Sequence, residues 1–338
     1  MSDPLTVAHA DASVRATGAP PGPTSVVGRS PLRIAFDRLR RDKVAVACAC
    51  IVAFFALVAI FAPVIASAVG VSLEPGNPAR QLDYLNDGMP LEGPPHNGFD
   101  PEHPFGVAPK TANDNLAYWL YGARTSMSIA AVATVVSTLI GVTLGLAAGY
   151  LGGWVDRVIS FSIDFFLTLP FLLMALTIAP IINERFALEP ELYRSVQYWS
   201  LIVIMSAFTW MGVARLVRGE VMSLREREFI LAARVTGAST GRIMLRELLP
   251  NLVAPIVVSV SLALPAFIAF EAGLAFLGVG ITQGASWGQT ILQASQFKYF
   301  QDYPLYLWEP LLGIVLIVVA LNLLGDAVRD AVDPKTRR

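Results

Sequence analysis

The stretch VAVACACIVAFFALVAIFAPVIA, residues 44–66, decides the fold. It carries no charge, and it is as long as the ~20 apolar residues a helix needs to cross a bilayer. Lipid offers backbone N–H and C=O groups no partners, so such a run must be helical. Immediately before it stand Arg33, Arg38, Arg40, Arg41 and Lys43. A basic cluster beside a first span marks the cytoplasmic side. The run follows a long polar tail and exceeds the ~7–15-residue apolar core of a signal peptide, so it is expected to persist as a span.

Five further runs of similar character follow, at 126–150, 158–182, 199–217, 252–278 and 305–324. The alternation of a membrane β-barrel is absent. The reading is an all-α polytopic membrane protein with six transmembrane helices and both termini cytoplasmic. Composition agrees: 54% of residues are hydrophobic and 15% charged, against about 25% charged in ordinary soluble domains. With this topology 19 of the 25 Lys and Arg residues fall on the cytoplasmic side, as the positive-inside rule requires. The net charge of -1 and the lack of like-charge blocks give no footing for nucleic acid.

The chain divides accordingly. Residues 1–30, rich in Ala, Pro, Ser, Thr and Gly, are expected to be a disordered cytoplasmic tail. Residues 31–66 form an N-terminal region with the first span. An external loop, 67–125, carries seven acidic residues against Arg80, Lys110 and Arg124. Loops this long are usually functional or flexible, and docking of an extracellular partner is the functional reading here. Residues 126–330 form a five-helix core containing a cytoplasmic loop, 218–250, and 331–338 are a cytoplasmic tail. Cys48 and Cys50 point to different faces of one helix and read as packing residues. His96 and His103 are the external histidines, too few for a metal site. Residues 291–303, with Phe297, Tyr299, Phe300 and Tyr303, suggest a short external helix resting at the interface as an aromatic belt.

The loop after the fourth span reads RGEVMSLREREFILAARVTGASTGRIMLRELLPN, residues 218–251. It is too polar to span and too rich in helix formers to be plain loop. Glu226 and Glu228 favour a helix start. Phe229, Ile230, Ala232 and Ala233 give a partly small-residue apolar surface. Gly237 suits a left-handed helix end. A second helical stretch, 242–249, is expected to finish at Pro250, which restarts the chain toward the membrane. Two short helices around a glycine make a cytoplasmic knob; the plainer alternative is an amphipathic surface helix.

Within that knob, Ala232-Ala233-xxx-Gly237 followed by Leu249-Pro250 resembles the EAA loop of ABC importer permeases. That motif is Glu-Ala-Ala, three residues, Gly, nine residues, Ile, one residue, Leu-Pro. Leu231 replaces its Glu, and Glu247 replaces its Ile. Further stretches resemble the second, C-type permease of dipeptide and oligopeptide importers: Phe61-Ala62-Pro63, His103-Pro104-Phe105-Gly106, the run 121–126, the run 149–156, Phe276-Leu277-Gly278-Val279-Gly280, Ser286-Trp287-Gly288 and the run 320–326. After Gly106 the sequence departs from the usual pattern, over 107–115. The resemblance implies the type I importer permease fold in a bacterial cytoplasmic membrane. It implies a second homologous permease, one or two ABC ATPase subunits that carry ATP and Mg, and an extracellular or periplasmic peptide-binding protein. It implies that Glu228, Phe229, Leu231, Ala232, Ala233, Gly237, Ala238, Leu249 and Pro250 form the ATPase-coupling surface. No cofactor is expected on this chain, which has no phosphate-cradling G-x-x-x-x-G-K-[ST] run. The same subfamily architecture also serves nickel complexes, glutathione and some saccharides.

Asp164 and Glu271 fall inside apolar runs, where a charge at the bilayer centre costs ~2.5–3.5 kcal/mol. They are the candidates for the translocation path. Interhelical bonding is the alternative for Glu271, and a structural charge pair is favoured for Asp164, two turns beyond Arg157. Pro170, Pro255 and Pro265 are expected to kink their helices. An intramembrane enzyme would want paired nucleophiles and bases, yet no His lies in any run. A proton-coupled secondary transporter would want internal repeats, which are not visible, and would need no docking knob.

Overall fold

The first run folds as α1, Lys43–Val69. The structure, a computed structural model, describes residues 37–91, 93–94, 98–282 and 284–332. The expected disordered tail 1–30, nearly all of the tail 331–338, and His96 lie outside the described residues. The Asp42 carboxylate caps α1, accepting from the Val44 and Ala45 N–H groups at 2.8 and 3.2 Å. Gly70, at φ +85°, ends the helix in the left-handed region. Cys48 is buried and Cys50 exposed, as their spacing requires.

The helices that follow are α2 (Asn115–Leu151), α3 (Gly153–Thr168), α4 (Phe171–Glu184), α5 (Pro190–Ala207), α6 (Trp210–Leu224), α7 (Glu228–Val235), α8 (Leu249–Phe276), α9 (Trp287–Ala294), α10 (Phe297–Asp302) and α11 (Pro304–Val332). α2 is central and packs against α1, α5, α6 and α8; α8 and α1 both pack on α11. Phe54, Leu57, Ile60, Phe61 and Val64 stay exposed on α1, as do Leu312, Val315, Leu316, Val319 and Leu323 on α11. Apolar faces this continuous belong against acyl chains rather than water.

Five helical stretches are long and apolar enough to cross a membrane: Lys43–Val69, Asn115–Leu151, Leu192–Leu224 (α5 and α6, joined through Phe208 and Thr209), Thr240–Phe276 and Pro304–Val332. The third expected span, 158–182, is not a rod. α3 and α4 meet at an angle of 85°. Pro170 lacks an N–H and drives Leu169 out of the helical region, to φ -81° and ψ 122°. The count is therefore five, or six if α3 and α4 together make one broken span. Pro255 and Pro265, by contrast, lie within an uninterrupted α8.

Two boundaries also differ from expectation. α2 starts at Asn115 rather than 126, capped by Asp114, whose Oδ1 accepts from the Ala117 N–H at 2.7 Å. Pro250 does not restart the chain: the helix runs on from Thr240 to Phe276. The turn before the proline, Ile243–Leu248, widens to the π form. A widened turn relieves the clash between a proline ring and the carbonyl four residues back.

α2 and α6 approach closely along a glycine stripe. A Cβ on Gly141, Gly145 or Gly149 would stand 2.7–2.8 Å from the Cβ of Val213, Val217 or Val221 respectively. Small residues at four-residue spacing let membrane helices gain contact where water cannot drive them together.

Candidate functional site

One end of the bundle carries the knob. α7 ends at Gly237, φ +80°, and the Ala238 N–H donates to Ala233 O at 3.0 Å, closing the helix. Ile230 is 0% exposed and packs in a cluster with Val217, Val221, Ile243, Leu248 and Leu252, flanked by Ala233, Ala238 and Leu249. The knob is thus folded against the bundle. Arg225 Nη1 donates to Gly149 O at 3.2 Å, and the Arg234 guanidinium lies 5.2 Å from the Tyr150 ring centre. Both contacts tie it to the end of α2.

The sequence-derived coupling residues fall into two groups. Ala233, Ala238 and Leu249 are half-buried and hold the knob's inner side. Glu228, Phe229, Leu231, Ala232, Gly237 and Pro250 are exposed. Val235, 89% exposed, and Leu245 join the outer apolar surface and were not singled out from sequence. Nor was Ile230 distinguished as the anchor, although the i, i+3 pair Ile230 and Ala233 marks the inner face. A cavity of about 460 Å³ opens beside Leu231, between Tyr150, Arg225, Glu226 and Arg234.

The opposite end is a clasp. α2 is ~55 Å long at ~1.5 Å per residue, and its first residue meets this clasp. Asn115 Nδ2 donates to Tyr303 Oη at 3.0 Å and to Phe105 O at 3.1 Å. The Tyr303 hydroxyl donates in turn to Phe105 O at 3.0 Å. Burial pushes that hydroxyl well above the ordinary phenol range, so it remains a donor. Gly106, at φ +73°, leaves room that a Cβ would take from the Tyr303 hydroxyl. His103 Nδ1 pairs with Asp114 Oδ2 at 2.7 Å while its Nε2 faces Gln81 Nε2 at 2.9 Å. The carboxylate fixes the proton on Nδ1, leaving Nε2 to accept from Gln81. The His103-Pro104-Phe105-Gly106 stretch is thereby explained as a structural fastening. Met89 and Ala108 of the loop pack on Tyr299, Tyr303 and Tyr306. A two-stranded ribbon, β1 (Leu82–Asp83) with β2 (Met89–Pro90), shapes that loop. The expected aromatic belt is corrected here: Tyr299 and Tyr303 face the protein, and Phe297 and Phe300 stay exposed. Among the described residues no group of three His, Cys, Asp or Glu could hold a metal.

The two intramembrane carboxylates differ. Glu271 is 0% exposed. The Ser286 hydroxyl donates to its Oε1 at 2.9 Å, and Ser126 lies beside it. It joins α2, α8 and the start of α9. That arrangement is the interhelical bonding weighed as the alternative to a place on the translocation path. Asp164 pairs at 2.7 Å with Arg215 of α6, not with Arg157, and the two side chains are 70% and 58% exposed. Charges this open do not face lipid stably, so that side of α3 and α6 belongs against water or another protein surface.

A family model for the binding-protein-dependent transport system inner membrane component matches residues 141–338. A second, for the N-terminal transmembrane domain of oligopeptide transport permease C, matches residues 30–94. The chain is 34% identical to the dipeptide transport system permease protein DppC of Alkalihalophilus pseudofirmus over 94% of each chain. It is 38% identical to the oligopeptide transport system permease protein OppC of Mycobacterium bovis, covering 66% of this chain and 73% of that one. An inward-facing structure of the MetNI methionine ABC transporter matches 64% of this chain and 96% of its own, with a TM-score of 0.50 at 19% identity; that likeness concerns the fold alone. The chain belongs to the family of inner-membrane components of binding-protein-dependent transport systems, as a C-type ABC permease. It is a multi-pass protein of the bacterial inner membrane.

Proposed function

We propose that this chain forms half of the translocation pore of an ATP-driven importer of di- and oligopeptides. The observation that carries this reading is the knob: a folded unit anchored by Ile230 that holds Phe229, Leu231 and Val235 outward. Exposed apolar side chains on a polar, pinned platform are suited to seat in a groove of a partner. That partner is an ABC ATPase, which binds ATP and Mg; this chain supplies no covalent chemistry and no cofactor site. Closure of the ATPases would press on the knob and switch access from outside to inside. Both termini and the knob then lie in the cytoplasm, and the clasp lies outside, facing an external peptide-binding protein. The open Asp164–Arg215 face meets the second permease or the aqueous path. Dipeptides and oligopeptides are what the names of relatives matched over 89–94% of this chain specify.

The test is purification of the chain from its own host in mild detergent, followed by peptide uptake in proteoliposomes. A homologous permease and ATP-hydrolysing subunits should co-purify, and uptake should require ATP. Uptake by the chain with no ATP-hydrolysing subunit present would overturn the assignment.

A further inference from the structure

The clasp end of the bundle contains a cavity of about 570 Å³ that neither the knob nor the clasp uses. Two helices turn matched faces into it. From α2 come Arg124, Thr125 and Ser128; from α5 come Arg194, Ser195 and Tyr198. Spacings of three and four residues put each set on one side of its helix. Arg124 stands in the first third of α2 and Arg194 in the first third of α5, so both lie toward the clasp end of the cavity. Among the described residues no carboxylate lies within ion-pair distance of either. Arg215, Arg218 and Arg225, by contrast, each have an acidic partner. Deeper in, the Tyr198 hydroxyl bonds Ser128 Oγ at 3.2 Å, giving a floor of hydroxyls. Two cations over hydroxyls in a concave site suit one carboxylate with a polar backbone behind it, since guanidinium matches carboxylate in both charge and geometry.

We infer that this cavity receives the C-terminal carboxylate of a peptide entering from the binding protein, held by Arg124 and Arg194. The inference rests on the peptide reading above and adds the end of the peptide that is read. It requires that a peptide ending in an amide be bound less well, because the amide brings no charge to Arg124 and Arg194.

The experiment uses the complete transporter in nanodiscs, without the binding protein, and titrates trialanine and trialanine amide by calorimetry. The free acid should bind at least tenfold more tightly than the amide. The double variant Arg124→Gln, Arg194→Gln should bind both alike, and Arg124→Lys, Arg194→Lys should retain part of the preference. Equal binding of acid and amide by the unaltered complex overturns the inference, as does no binding of either, or a preference that survives the Gln variant. The unaltered complex alone decides the first two outcomes, so poor folding of a variant leaves the test intact. ATP-dependent uptake of trialanine by the complete system with its binding protein is measured separately. Its absence would sink the peptide reading, whereas uptake without an acid preference would sink only this site.

Discussion

Val235→Lys separates the fold of the knob from its docking. Val235 is 89% exposed at the end of α7, so the isolated subunit loses almost no buried area on substitution. Changes at such surface positions usually stay within about 0.5 kcal/mol, and a cation at a helix C-terminus is favoured by the dipole. Docking is a different matter. Burying a valine side chain contributes ~1.5–3 kcal/mol, and placing an unpaired ammonium in the same apolar groove costs further. A total of at least ~3 kcal/mol corresponds to a loss of ~100-fold or more in affinity for the ATPase. Ile230→Ala is the contrasting variant. Ile230 is fully buried, and such truncations cost ~2–5 kcal/mol through the cavity they leave. The assay is co-purification of ATPase subunits together with thermal stability of the detergent-solubilised subunit. Val235→Lys should leave the melting temperature within about two degrees while abolishing co-purification; Ile230→Ala should lower both. Wild-type ATPase retention by Val235→Lys would refute the docking surface.

Gly237 offers a paired test: at φ +80° with open space where a Cβ would sit, Gly237→Ala should cost only ~1–2 kcal/mol of backbone strain and keep uptake. Gly237→Trp should insert normally in the membrane yet abolish uptake; normal uptake by the Trp variant would remove Gly237 from the docking face. Gly145→Val should pry α2 from α6, because its Cβ would stand 2.7 Å from Ala214 O and 2.8 Å from Val217 Cβ. A loss of ~1–3 kcal/mol is expected, read as a lowered melting temperature, and an unchanged one would contradict the close helix contact. Tyr303→Phe removes the hydroxyl shared by Asn115 and Phe105; at ~1–3 kcal/mol for the orphaned groups, the loop before α2 should become several-fold more susceptible to protease from outside. Unaltered cleavage would show that the clasp does not fasten that loop.

How much of this was legible in sequence follows from the range of the interactions concerned. Apolar runs are local, so the long helices were readable, as was the turn at Gly237. The 85° break was not: the Leu169-Pro170 pair announces a disturbance, but its size depends on what packs beside it, and prolines 255 and 265 interrupt no helix, since α8 runs through both. The start of α2 was hidden because Arg124 and Tyr121 look like loop residues, although Asp114 before Asn115 is an ordinary helix cap. The clasp joins residues as far apart as Asn115 and Tyr303, and the Asp164 pair reaches Arg215; periodicity carries no information about such partners. The knob was found by motif spacing, yet which of its residues face in or out depended on the cluster around Ile230.

α2 connects the two ends in a way that bears on the proposed coupling. Its last turn is held to the knob through Gly149 and Tyr150, and its first residue is held in the clasp through Asn115. It contains no proline, unlike α1, α4, α8 and α11, and sharp helix kinks come mostly from proline or from breaks in the hydrogen-bond ladder. A push on the knob would therefore travel along α2 as motion of a stiff rod, while neighbours with internal prolines retain points that bend. The stripe at Gly141, Gly145 and Gly149 makes α6 move with α2 rather than past it, because valines interlock at each step. Under the proposed mechanism the unit that swings is α2 with α6. The cavity holding Arg124 sits on the far end of that unit from the knob, where the displacement for a given tilt about the middle is greatest.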